Sequence, residues 1–176
     1  TANYANSAAP ASGALSNTAA SYTTLGGQWQ FAAVAGAETD YILFGYQVPA
    51  PAVGQPGRNL IIRGVRINTF NMVAASAGTV TTLQWALGVG GTAVTQATAD
   101  STTAATRATR RIPLGVQSMP VGTAIGQALT PVDVNLDAPI LCEAGTFVCI
   151  LLKMPVGTAT ATEIIRGTCL INGYFE

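Results

Sequence analysis

Between its Gly and Pro punctuation this chain repeats its side-chain character every second residue, and that period admits strands and excludes amphipathic helices. Over 79–89, Leu83, Trp85, Leu87 and Val89 fall on one face and Thr82, Gln84, Ala86 and Gly88 on the other. TDYILFGYQV places Ile42, Phe44, Tyr46 and Val48 together and is ended by Pro49 and Pro51. In RNLIIRGVRINTF, Leu60 and Ile62 are in phase, Val65 and Ile67 are in phase, and the two pairs disagree by one residue. A bulge at Gly64 restores a single inward face.

Later segments repeat the theme. Val132, Val134 and Leu136 alternate with Asp133, Asn135 and Asp137. TFVCILLKM is apolar on both faces except at Lys153, as a central strand covered twice would be. The last segment turns Ile165, Cys169, Ile171 and Phe175 one way and Arg166, Asn172 and Tyr174 the other. TQATADSTTAATRATR, at 95–110, has no apolar stripe and reads as a long loop. About eight strands without helices predict an all-β fold: a single antiparallel β-sandwich, jelly-roll-like, over 27–176.

Residues 1–26 show neither period and read as an extended N-terminal arm carrying Tyr4, Leu15 and Tyr22. The first charged residue of the chain is Glu38. Two readings of the arm stand open, an extended lead-in lying along a neighbouring subunit and a solvated tail; the absence of charge favours the first. The whole chain has 8 basic and 8 acidic residues in 176, or 9 %. An ordinary domain carries about 25 %, so much of this surface is expected to be covered by other chains, starting with a homo-oligomer.

Zero net charge and a sequence pI near 6.1 give no pull toward nucleic acid or an anionic membrane. No run is long and apolar enough for a membrane span, and the first residues lack the basic and apolar regions of a secretory signal. Thr1 is the kind of small residue left behind after loss of an initiator methionine, which fits an expectation of cytoplasmic synthesis. Without histidine, neither a Ser-His-Asp nor a Cys-His nucleophile can be built, nor a usual zinc site. Cys142, Cys149 and Cys169 lack CxxC spacing and read as buried small hydrophobes. A disulfide stays open if strands 146–153 and 164–175 are neighbours. No enzyme, cofactor or metal site is expected.

Few polar groupings invite a functional reading. Asp133 and Asp137 share a strand face, but four residues span roughly 13 Å, beyond the roughly 5 to 9.5 Å of a glycosidase pair. GVGGTA at 88–93 matches a dinucleotide fingerprint in letters, yet no helical pattern follows, so it reads as a glycine-rich turn. Arg107, Arg110 and Arg111 form a cationic cluster at the end of the long loop, with three uses open: contact with an acidic neighbour, phosphate contact, or a solvated patch. Arg58, Arg63 and Arg66 have Glu38, Asp40 and the outward aspartates as candidate partners. MPVGTA occurs at 119–124 and 154–159, in both places as a Pro/Gly turn, and the two are expected at one end of the sandwich.

TVTTLQWALGVGGTAV, RRIPLGVQS, MPVGTATATEIIRG and the terminal INGYFE, with the uncharged lead-in, together resemble small β-sandwich structural proteins of tailed bacteriophages, the capsid decoration or cement proteins foremost. The resemblance covers most of 58–176. It implies a jelly-roll-like subunit, often a homotrimer, that sits on the capsid surface of the virion and ties copies of the major capsid protein together. The arm with Tyr4, Leu15 and Tyr22 and the loop at 95–111 with Arg107, Arg110 and Arg111 would then make the interface. Two other classes remain: a receptor- or glycan-binding module of a tail fibre or spike, for which Trp29, Tyr41, Tyr46 and Tyr174 are the available aromatics, and a small jelly-roll coat protein.

Overall fold

The computed structural model describes residues 4–5, 25–32, 40–72, 80–92, 98–99, 110–154 and 164–176. They form ten strands and, among the described residues, no helix: β1 (Tyr4–Ala5), β2 (Gly26–Ala32), β3 (Asp40–Gln47), β4 (Leu60–Asn71), β5 (Thr81–Gly91), β6 (Thr98–Ala99), β7 (Arg110–Met119), β8 (Val132–Cys142), β9 (Phe147–Lys153) and β10 (Ile164–Phe175). Two antiparallel sheets face each other, ordered β1-β2-β10-β4-β8 (sheet A) and β6-β3-β9-β5-β7 (sheet B), so the β-sandwich expected from the alternation is the fold. The ladders β2·β10, β3·β9, β4·β8 and β5·β7 nest one inside the next, as one long hairpin rolled upon itself would place them.

Trp29, Phe31, Leu60, Ile62, Val65, Ile67, Ile165, Cys169 and Ile171 of sheet A meet Phe44, Tyr46, Leu83, Trp85, Leu87, Val89, Ile150 and Leu152 of sheet B in one core. Three aromatic pairs cross from sheet to sheet along it. Phe31 and Tyr41 lie 4.7 Å apart, Trp29 and Trp85 5.5 Å, and Tyr46 and Phe175 6.4 Å, all tilted. Such pairs add about 0.5 to 1.5 kcal/mol each beyond burial.

The β4 bulge falls where the phase break put it. Both ladders of β4 slip at this point, between Ile62 and Gly64 against β8 and opposite Asn172 and Gly173 of β10. Leu60, Ile62, Val65 and Ile67 all become fully buried while Arg63 stays exposed. β9 is central in sheet B and buried along both faces up to Lys153.

β3 departs from the expectation. Its ladder with β9 slips between Ile42 and Phe44, so Leu43 and Phe44 both enter the main core and Ile42 turns to the outer face of sheet B, where it is buried with Leu151 and Cys149. GVGGTA is corrected too: Gly88–Gly91 finish strand β5 rather than form a turn, with Gly88 opposite Cys149. The segment at 95–110 contributes Thr98–Ala99, which pair with β3, and Arg110 and Arg111 begin β7 instead of ending a loop. Of the arm, Tyr4–Ala5 pair with Trp29 and Gln30 of their own chain and Gly26 already belongs to β2. Leu15, Tyr22 and Arg107 lie outside the described residues.

A buried polar hub ties the layers. Gln117 Oε1 accepts from Trp85 Nε1 (2.9 Å) and from Thr69 Oγ1 (3.0 Å), and Gln117 Nε2 donates to Thr130 O. Asn71, also buried, donates through Nδ2 to Thr123 O (3.0 Å) and so pins the connection between β7 and β8. Met119 and Met154, which open the two MPVGTA segments, lie at the same end of the sandwich, since Met119 pairs with Thr81 and Lys153 with Gln84; 155–159 lie outside the described residues.

Gly167 is where packing leaves no room. A Cβ there would stand 1.9 Å from Asn68 O and 2.7 Å from the Trp29 ring. Gly167→Ala is expected to cost about 3 kcal/mol, read as a lower urea midpoint. Gln117→Leu strands the Trp85 N–H and the Thr130 carbonyl and is expected to cost about 2 to 4 kcal/mol in the same assay.

Candidate interaction surfaces

Alternation that sends apolar residues into the core sends the opposite set outward, so each sheet has an outer face whose chemistry can be read from the register. On sheet A the outward rows are Gln30, Arg166 and Phe70; Gln28, Thr168 and Asn68; Leu170, Arg66 and Asp133; Asn172, Gly64 and Asn135; and Tyr174, Ile61 and Leu141. The face is broad and dominated by amides, hydroxyls and aliphatic groups. Leu170 is 44 %, Tyr174 48 % and Leu141 39 % exposed, so three of the large exposed hydrophobic side chains sit on this one surface.

Two of its arginines are engaged within the face, while Arg63 at the bulge and Asp137 on β8 stay exposed. Arg166 Nη2 donates to Gln30 Oε1 at 2.6 Å and Arg66 lies 3.9 Å from Asp133. The second pair is half-exposed and contributes little to stability. Asn68 Nδ2 donates to Thr168 Oγ1 at 3.1 Å.

Of the expected interface residues, Arg110 donates to its own chain's Leu141 O and Arg111 pairs with its own Asp40. Of the arginines near the bulge, Arg66 takes Asp133 as anticipated, whereas Arg58 donates to Phe175 O (3.2 Å) and lies 5.8 Å from the centre of that ring. Among the available aromatics, Trp29 and Tyr46 are buried in the core, Tyr41 is half-buried and Tyr174 alone is exposed. A groove of about 360 Å³ at the end carrying the C-terminal strand is lined by Tyr46, Phe175, Pro49, Pro51, Pro56 and Arg58.

The signal that the outer face of sheet A offered in sequence was the uncharged outward run Thr168, Leu170, Asn172 and Tyr174 in β10. What it lacked was the strand order that brings Tyr174, Ile61 and Leu141 into one row.

The cysteines are buried and unpaired by disulfide. β9 and β10 belong to opposite sheets, with Cys149 on the outer side of its sheet and Cys169 in the main core, so no bridge joins them. Burial pushes the Cys149 thiol from 9.0 up to about 12, against a smaller favourable effect of Arg111. Burial likewise raises Cys169 strongly, opposed by the Trp29 N–H, and raises Cys142, opposed chiefly by Thr146. Among the described residues no three His, Cys, Asp or Glu side chains gather, and no helix is long and apolar enough to cross a membrane.

Comparison with protein-family models gives no match, and no curated protein matches the sequence.

The thiol shifts fix the sign of an alkaline effect. A raised pKa means that the folded chain keeps protons which the unfolded chain gives up. The stability is therefore fully present below pH 9 and is lost as pH rises toward 12. Urea unfolding is expected to weaken by about 1.4 kcal/mol per pH unit for each fully buried thiol over that window. In Cys149→Ala/Cys169→Ala the alkaline slope should be reduced.

Proposed function

We propose that this chain is a structural virion protein that binds a capsid lattice and stabilises it as a decoration or cement protein, working as a homo-oligomer with three copies favoured. The nested ladders of the sandwich are read as a jelly roll, an architecture that viral capsid and lectin domains share. That likeness is analogy of fold and carries function only as far as a surface supports it.

The observation that carries the reading is the outer face of sheet A. Four long strands present amides, hydroxyls and the exposed Leu170, Tyr174 and Leu141, with few charges to desolvate. Removing charged groups from water is a large penalty in a protein contact, and a face with few charges avoids most of it. Many weak contacts repeated over a lattice then hold each copy in place, and avidity multiplies them. The arm remains the second proposed contact element; its Tyr4–Ala5 pair with β2 of their own chain.

A receptor-binding role built on aromatic platforms has less support, since Tyr174 is the one exposed ring of the four aromatics available for it.

The test is co-sedimentation with the capsids of the particle to which the protein belongs. Thr168→Asp/Leu170→Asp places two carboxylates in the middle of the face at outward positions, so the free protein should keep its unfolding midpoint. Binding to capsids is expected to fall at least about tenfold. Undiminished, saturable binding of this variant would remove sheet A from the contact, and no binding by the parent chain would sink the proposal.

A further inference from the structure

We infer that the hollow on the outer face of sheet B is a binding site for an acidic sugar residue. It has a volume of about 330 Å³ and is independent of the sheet A surface. The register assembles it from four strands: Asp40 of β3 stands beside Lys153 of β9, Lys153 beside Gln84 of β5, and Gln84 beside Val116 of β7. Arg111 reaches in from β7 and pairs with Asp40, with both side chains only about one-fifth exposed (22 % and 19 %). Ala86 and Pro113, neighbours in the adjoining row, supply an apolar wall.

The hollow adjoins a distortion of the sheet. The β5·β7 ladder slips between Trp85 and Ala86, whose partners are Gly115 and Pro113; the extra residue, Leu114, turns into the core, and Gly115 takes φ 143°. A bulge of this kind bends an edge strand and re-aims its side chains. Here it sets Pro113, Gly115 and Val116 around one side of the hollow.

The donor and acceptor set defines the ligand. Asp40 only accepts, Lys153 and Arg111 only donate, and Gln84 does both, which is the combination that vicinal hydroxyls satisfy because each hydroxyl both gives and receives. Asp40 is held by Arg111, and Lys153 makes no ion pair with any carboxylate among the described residues. Two cations against one carboxylate in the described lining leave one positive charge for the ligand to match, hence a sugar bearing a single carboxylate. The volume lies at the lower end of the roughly 300 to 1,000 Å³ of ligand pockets and suits one such residue rather than an extended chain. Pro113 and Val116 offer the C–H face of the ring an apolar surface.

Glucuronate, glucose and acetate, each titrated into the ¹⁵N-labelled full chain to about ten times a millimolar Kd, separate the possibilities. Glucuronate is expected to give saturable amide shifts around Gln84, Lys153 and Asp40, with glucose and acetate each at least about fivefold weaker. Lys153→Met and Gln84→Ala, both at outward positions, should keep the parent spectrum elsewhere and weaken glucuronate at least about fivefold. The inference is overturned by any of three results: no saturable shift with glucuronate, acetate binding as well as glucuronate, or glucuronate binding unchanged in both variants. Because capsids are absent from the experiment, its outcome is separate from that of lattice docking.

Discussion

The contact of Trp29 with Trp85 organises this sandwich. Two indoles from opposite sheets meet at 5.5 Å in the middle of the core, and their bulk sets what surrounds them. On sheet A the neighbouring strand must carry no side chain at 167, because the Trp29 ring and a backbone carbonyl already occupy the space. On sheet B the Trp85 N–H must find an acceptor inside an apolar core, and Gln117 supplies it. Gln117 in turn joins Thr69 of the other sheet and the Thr130 carbonyl beyond β7. One aromatic contact thereby dictates a glycine, a buried amide and the anchoring of a loop, three choices that look unrelated along the chain.

With the interior so committed, the two outer faces diverge. Sheet A presents amides and aliphatic groups with few charges among them, a surface suited to lying against another protein. Sheet B gathers Asp40, Arg111, Lys153 and Gln84 around a hollow, a surface suited to a small polar ligand. The scarcity of charge in composition is therefore uneven in space.

The strands and their inward residues were legible because a period of two is imposed by the pleat itself, and the β4 bulge because Leu60/Ile62 and Val65/Ile67 could be reconciled in no other way. The β3 slip was hidden: Leu43 and Phe44 are both apolar, no glycine marks the irregularity, and Ile42 is as buried on the outer face as it would be inside. GVGGTA looked like a turn because glycine has two uses, and here it serves a strand whose outer neighbour is Cys149. The hollow of sheet B was illegible for a different reason. Residues 40, 84, 111 and 153 meet only through the strand order β3-β9-β5-β7, and alternation fixes which way a side chain points without fixing its neighbour.

The scarcity of charge on sheet A also bears on time. A surface with so few charges steers an approaching partner only weakly, so encounters occur near the unguided rate of about 10⁵ to 10⁶ M⁻¹s⁻¹ and change little with ionic strength. Tenacity on such a face then resides in slow departure, accumulated from Leu170, Tyr174, Leu141 and the amides around them. A partner held this way arrives slowly, indifferent to salt, and stays.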